Sequence, residues 1–543
     1  MKTKKIIDKF FILVLCISAF SCSDELDIAP GDQIAKENFF QSEEDFQAVT
    51  GPLYNAVWFS FNDKFYFGLG DGRSYNLYAP FSDYVYPFSD LTETGLTGPL
   101  VEAWGSFYNV IQQSNRAIIG IEGSPVDLDT QTQYIAEARF MRGTAYWYLA
   151  SLWGDAIIST DPLELVNNPI VNKNPRADVY EFAIRDLEYA AKYLPEQAGQ
   201  AGRVTKYSAY GMLSRFYLSY AGLSDNPNSG TRNQELLDLA RMAAEKVINE
   251  GPYELMDDYA DLFMVDNNNN SESMFALQWV PNGEYGVGNA HQAFFALGSE
   301  ITGDDAAYGF YTRASYDVLQ EYETNDNRRK ATWMADGDFY PEISQANGGY
   351  TVDHENTYVN VKKGVVGSTK DNPKISRQNS ALNTYMMRLG EVYLNYAEAV
   401  LGNNPSTSDA TALMYVNALR ERAGLNEKTN LTYEDIMHER RVELCMEGQF
   451  WYDLVRRSYY EQQEVINYIN AQNRSTIVPF TYDAETNTVS VDETRDNTSQ
   501  AVGVVDESIF LLPYPESEVV QNPLLGDAPV PYEFTEERIT DLF

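Results

Sequence analysis

The stretch Tyr433 to Arg457, YEDIMHERRVELCMEGQFWYDLVRR, constrains the fold more than any other part of the chain. Thr432 and Asp435 stand three residues apart at its start. That spacing predicts a helix N-cap of the capping-box type, in which each side chain meets the other residue's backbone N–H. The predicted helix carries Ile436, Leu444 and Met446 among charges of both signs, and Trp451, Tyr452, Leu454 and Val455 follow. Glu439, Arg440, Arg441, Glu443 and Glu447 fall at spacings that allow pairing along one helix. A segment this charged and this aromatic is expected to wedge into a core with its ions paired, a structural role. Cys445, inside it, reads as a small buried hydrophobe.

The rest of the chain supplies a helical frame for that wedge. Helical periodicity marks residues 104–121, 131–153, 177–194, 206–221, 234–249, 386–401 and 408–423. In 131–153, the small residues Ala136, Ala138, Gly143 and Ala145 alternate with large ones, a pattern for close helix packing. The helices recur every 30 to 40 residues or roughly so, in the range of tetratricopeptide-type helix pairs. Periodicity fades between about 256 and 381, where 274–280 reads as a strand between turn signals. With 543 residues, the chain exceeds one ordinary core, so two domains or one helical array with a large insertion are expected.

One segment breaks the helical rhythm early. Trp58 to Phe88 is far denser in aromatic residues than the chain average of 13%, and Gly68, Gly70, Gly72, Pro80 and Pro87 interrupt it. Broken backbone with so many rings is read as loops that present a contact surface.

Charge and chemistry narrow the function. The net charge of −39 argues against nucleic acid and against adsorption to anionic lipid headgroups. Three cysteines give no disulfide framework. His438-Glu439 begins like a metalloprotease HExxH, but Val442 takes the second His position. Asp266 to Asn270 lacks the order of a calcium loop and reads as a turn. No catalytic constellation, metal site or cofactor motif emerges. Binding is what remains. Sugars expose apolar CH faces rimmed by hydroxyls, which a flat ring and neighbouring Asn, Asp or Arg can match. Two regions offer that mixture: Arg73, Tyr75, Asn76, Tyr78 and Tyr84 in the first, and Trp279, Tyr285, Tyr308, Tyr311 and Trp333 in the second.

The N-terminus has a basic start and a short apolar run from Phe10 to Phe20, fitting a secretory leader. That leader carries a net of +3, so a chain without it would carry −42. Ser18-Ala19-Phe20-Ser21-Cys22 looks like a bacterial lipobox, with Cys22 the residue acylated. The acidic residues after Cys22 resemble an export signal to the outer face of the outer membrane.

The lipobox, the helix pairs, the 433–457 stretch and the closing Leu512-Pro513-Tyr514-Pro515 with Asn522-Pro523 together resemble the SusD/RagB family of bacterial outer-membrane nutrient-binding lipoproteins. Phe450 stands where that family usually has Arg, and a longer acidic tail replaces its usual ending. The resemblance implies a mainly α fold, with four tetratricopeptide-like helix pairs packed against an irregular, loop-rich domain with short strands. The expected divisions are a leader (1–21), a lipidated tether (22–40), an N-terminal helical region (41–255, with an aromatic insertion at 58–100), a ligand-side insertion (256–385) and a C-terminal helical region (386–543). It further implies a non-enzymatic, lipid-anchored surface protein that captures oligosaccharides and serves as the lid of a SusC-like TonB-dependent transporter. Ligand contacts are expected from the two aromatic regions. A peptide-binding RagB-like lid and a surface glycoside hydrolase are the alternatives.

Overall fold

A computed structural model describes residues 39–543, apart from 81, 224–227, 282–284, 304–306, 354–357, 473, 475–479 and 492–503. The leader, Cys22 and most of the tether lie outside the described residues. The fold is built on a stack of helices: α1 (Glu43–Thr50), α2 (Gly98–Ile121), α3 (Leu128–Leu152), α4 (Arg176–Tyr193), α5 (Lys206–Ala221), α6 (Gln234–Glu250), α7 (Leu389–Leu401), α8 (Ala410–Arg422), α9 (Tyr433–Glu443) and α10 (Phe450–Ser458). From α2 to α8 each helix packs on the next, so the array is continuous although the whole stretch from Gly251 to Arg388 separates α6 from α7. Gly143 shows why small residues recur in α3. A Cβ there would lie 2.5 Å from Leu187 Cδ2 and 2.9 Å from Ala183 O, so only glycine lets α3 and α4 approach this closely.

Strands are few and short. The antiparallel pair β2 (Ser273–Leu277) and β6 (Thr384–Arg388) brackets the insertion. Three strands inside it, β3 (Arg313–Ala314), β4 (Trp333–Met334) and β5 (Asn360–Val361), join β1 (Leu77–Tyr78) from the first aromatic region in one antiparallel sheet of order β1-β3-β5-β4. The two aromatic regions, far apart in sequence, are therefore hydrogen-bonded neighbours at β1 and β3, with Tyr78 opposite Arg313.

The 433–457 stretch forms two helices instead of one. The capping box at Thr432 and Asp435 is present. α9 stops at Glu443, however, and Leu444 and Met446 lie in a turn where Met446 and Gly448 take φ values of 61° and 65°. Asp71 causes the break. Its carboxylate accepts the backbone N–H of Met446 at 2.8 Å and of Gly448 at 2.9 Å, donors that a continuing helix would have used itself. Burial pushes Asp71 up to about 6, against the opposing pull of Asn76 and those two backbone donors.

Residues 61–73 also differ from the sequence reading. They form two wide helical turns, not surface loops, and most of their aromatics are core. The glycines there mark close approach: a Cβ on Gly70 would lie 2.3 Å from Gly448 Cα. Trp58, Phe61, Phe65 and Phe67 are buried among the helices.

The ionic network around α9 is buried, as expected. Wholly buried Glu443 accepts from Arg388 at 2.7 Å, Arg422 at 2.6 Å and Arg328 at 3.2 Å. Burial pushes its carboxyl up, but Arg422, Arg388 and Arg328 together hold it well below the usual carboxylate range. Arg441 stacks its guanidinium 5.0 Å from the Phe450 ring, a cation–π contact at the position that departs from the family pattern. Cys445 is buried, and burial pushes its thiol up to about 12.

The acidic tail lies across the array as a strap. Glu536 pairs with Arg139 at 2.7 and 2.8 Å, Arg538 with Glu188 at 2.7 Å, and Asp541 with Lys192 at 2.8 Å, while Phe534 sits 4.2 Å under Arg185. Glu536 and Asp541 are mostly exposed, although Glu188 is buried and Arg139 nearly so, and the strap is expected to loosen first from its exposed end. In 1 M salt, or on Arg139→Ala, tail amides beyond Tyr532 should exchange faster while global stability falls by less than about 1 kcal/mol. Hydrogen exchange read by mass spectrometry checks this. Unchanged protection of the tail would show that its apolar contacts hold it instead.

Candidate functional site

The ten residues singled out in the sequence divide on burial. Arg73 is enclosed: it pairs with Glu93, donates to Ile509 O at 2.7 Å and lies 4.7 Å over the Trp451 ring. Asn76 bridges Asp71 and Arg441, accepting from Arg441 Nε at 2.9 Å. Tyr75 is buried beneath the Arg474 guanidinium, 5.0 Å from its ring. Trp333 is wholly buried and donates to Tyr322 OH at 3.0 Å. Trp279 is buried too, its indole N–H bonded to Thr384 Oγ1 at 2.9 Å. These five side chains are spent inside the fold. A large ring or a guanidinium suits an interior as well as a surface, and the polar partners present here decide for the interior.

Tyr285, Tyr308 and Tyr311 and the half-buried Tyr84 and Tyr78 reach the surface, and the fold gathers other rings around them. Tyr285, Tyr308, Tyr311 and Phe310 are 52%, 51%, 45% and 42% exposed, so four large rings stand half in solvent. Tyr285 stands on a ladder that rises from the interior. Buried Trp279 meets Phe59 edge-on at 6.1 Å, and Phe59 meets Tyr285 edge-on at 4.9 Å. The Tyr285 hydroxyl donates to Asp63 Oδ2 at 2.6 Å, which fixes the ring. Burial raises the Asp63 carboxyl above its ordinary value, opposed by Tyr285 and Lys64.

Further along, Lys64 Nζ lies 5.9 Å from the Phe294 ring, and Phe294 packs against Tyr84 at 4.8 Å. Tyr308 follows, its backbone held by Ala293 O at 2.9 Å and its ring 5.8 Å from the Arg377 guanidinium. Phe310 and Tyr311 meet edge-on at 5.0 Å. Their turn is pinned by Asn360 Nδ2, which donates to Gly309 O and Phe310 O at 3.0 Å each. Arg313 lies 3.9 Å over the Tyr358 ring and 5.7 Å from Tyr311, with its Nε buried and without a hydrogen-bond partner among the described residues. The result is a ledge of half-exposed rings interleaved with Asp63, Lys64, Arg313 and Arg377. Flat apolar faces beside directional polar groups can hold a ligand that is apolar on its faces and hydroxylated on its rim.

Sequence reading named Tyr285, Tyr308 and Tyr311 but missed Phe310, Arg313 and Phe294. The pairing of β1 with β3 brings Arg313 to Tyr78, and nothing local to either segment announces that pairing.

The chain matches the family model described as SusD family over residues 220–530, and a second model, described as starch-binding associating with outer membrane, over residues 88–218. It is 40% identical to a SusD-like protein of Bacteroides ovatus across 98% of this chain and 100% of that one. SusD-like protein P25 of Formosa agariphila is 26% identical, over 84% of this chain and 90% of its own. A crystal structure with a bound xylogluco-oligosaccharide superposes with a TM-score of 0.84 at 39% identity, over 90% of this chain and all of that one. A laminarin-binding SusD-like protein shares the fold at 21% identity, with a TM-score of 0.67 over 89% of this chain and 98% of its own. One family model spans more than half of the sequence and the Bacteroides ovatus relative nearly all of it, and on that ground this chain belongs to the SusD family.

Proposed function

We propose that this protein is a non-catalytic, cell-surface glycan-binding lipoprotein of the outer membrane, anchored through Cys22. It captures oligosaccharides on the aromatic ledge and passes them to a SusC-like TonB-dependent transporter, on which it sits as a lid. The observation that carries this reading is the ledge itself: Tyr285, Tyr308, Phe310 and Tyr311 half-exposed in one aromatic region and backed by buried rings. A flat ring stacks on the CH face of a pyranose, while Lys64 and Arg313 stand beside the rings to meet hydroxyls, Lys64 held in place by buried Asp63. The ligand class is a β-glucan chain of the xyloglucan type. That choice rests on the 39%-identical relative solved with a xylogluco-oligosaccharide. Of the ten residues chosen from sequence, Tyr285, Tyr308, Tyr311, Tyr84 and Tyr78 are assigned to the ligand face; the other five support it from inside. The helical array, a broad surface of the kind that binds proteins, is assigned to the transporter.

The test is calorimetric titration of protein lacking residues 1–22 with xylogluco-oligosaccharides, laminari-oligosaccharides, acidic polysaccharides and peptides. Saturable binding of xylogluco-oligosaccharides without release of new reducing ends is expected. Binding of peptides alone would replace this reading with the peptide-binding lid. Released reducing ends would replace it with a hydrolase.

A further inference from the structure

His438-Glu439 fails as a metalloprotease signature, yet the fold brings these two residues a different third partner. Glu323, in the loop between the short helices Tyr316–Leu319 and Arg328–Thr332, reaches them so that one ligand atom from each of Glu323, His438 and Glu439 lies within 4.8 Å of the others. Two further observations separate this group from an ordinary surface ion cluster.

The first is the orientation of the imidazole. His438 Nδ1 lies 2.7 Å from Glu321 Oε2, while Nε2 faces Glu323 Oε1 at 3.8 Å, beyond hydrogen-bond reach. A carboxylate on one ring nitrogen, with the other nitrogen presented to acceptor oxygens, is the arrangement that fixes a metal-ligating histidine. Two bonds of about 2 Å at the tetrahedral angle put ligand atoms about 3.3 Å apart, so a bound ion would draw the two atoms together by about 0.5 Å from their 3.8 Å separation.

The second is an unmatched buried oxygen. Glu439 is wholly buried. Its Oε1 is shared by Arg420 at 3.1 Å and Arg328 at 3.3 Å, but Oε2 is buried with no hydrogen-bond partner among the described residues. A charged oxygen left bare inside a protein is costly, and a cation removes that cost.

We propose that Glu323, His438 and Glu439 form a site for a divalent transition-metal ion of the zinc class, with Glu321 as the positioning residue. Imidazole and carboxylate together suit such an ion. The ion would tie the 321–323 loop to α9 and so brace the ionic network from its outer side. Arg420 lies 2.8 Å from Glu323 Oε1 and competes for that ligand, so affinity is moderate.

The test uses protein lacking residues 1–22, stripped with a chelator, then titrated with zinc by calorimetry and with cobalt by visible absorption. One ion per chain is expected, with an imidazole-bearing cobalt spectrum. Glu323→Gln and His438→Ala should each weaken binding by more than about tenfold, and Glu321→Gln by about tenfold. Glu323 is the most exposed of the three ligands, so its Gln variant reports on binding without a folding defect, checked by circular dichroism. Absence of stoichiometric binding, or binding unchanged in both the Glu323 and His438 variants, overturns the proposal. The latter result would mean adventitious ions on a chain of net charge −39.

Discussion

Replacing Glu443 with alanine is expected to cost the fold about 3–5 kcal/mol, the range seen when one partner of a buried ion pair is removed. The reason is what remains. Arg388, Arg422 and Arg328 all aim at this carboxylate from inside the protein, and the substitution removes the anion they share, leaving Arg388 to Glu447, Arg422 to Glu272 and Arg328 to Asp326 in a buried cluster with one negative charge too few. Glu443→Gln keeps an acceptor but not the charge, so it should fall between alanine and the parent. Denaturant unfolding followed by far-ultraviolet circular dichroism measures both, and an alanine variant as stable as the parent would refute the assignment. The same network sets the acid limit. The Glu443 carboxyl lies below its ordinary value of 4.5, and Glu398, pushed up by burial but held by Arg456, Arg232 and Arg440, lies at about 2. A lowered folded-state pKa adds stability that is fully present above the unfolded value. That stability disappears as pH falls through the folded value. Loss is therefore expected between about pH 5 and pH 2, with a shallower slope in Glu443→Ala.

The second large effect is on ligand binding. Removing Tyr285 and Tyr308 together is expected to weaken oligosaccharide binding about 10- to 100-fold, or about 1.4–2.8 kcal/mol. Both rings are half-exposed, so the stability lost should be limited to about 1–3 kcal/mol from the hydrogen bond that Tyr285 gives buried Asp63. Trp333→Ala should behave in the opposite way. It empties a fully buried site and frees the Tyr322 hydroxyl, which costs about 3–5 kcal/mol of stability. Calorimetry and thermal unfolding on the same samples separate the two. Undiminished binding by the double tyrosine variant would move the site elsewhere on the chain.

The contrast between these rings shows where sequence reading stops. Helix positions are legible because a 3.6-residue period survives any tertiary detail: the periodic span 206–221 ends where the observed helix does. The 433–457 cap is legible because Thr432 and Asp435 are local to each other. The break after Glu443 is not, because its cause, Asp71, lies far from Met446 in sequence. Glycines at 68, 70 and 72 suggest loops, yet the missing side chain at Gly70 serves contact with the Gly448 turn. For the candidate site, composition points to the stretches of chain that carry the half-exposed rings. It does not separate rings that face solvent from rings beneath them, since Trp279 and Tyr285 differ only in what packs above them.

A helical array can in principle assemble one hairpin at a time, from either end. The guanidinium–carboxylate network forbids that order of events. Glu272, Arg328, Arg388, Arg422 and Glu443 come from segments well separated along the chain, and each is buried or nearly so in the finished protein. Until all have arrived, those present remain better off in water than in a half-built interior. The last step of folding is thus a concerted loss of hydration by many charges with long loops to close, which makes it slow. Its reverse must readmit water to the same charges at once, so the barrier to opening is high. The lifetime of the folded state would then rest on that barrier more than on its equilibrium stability.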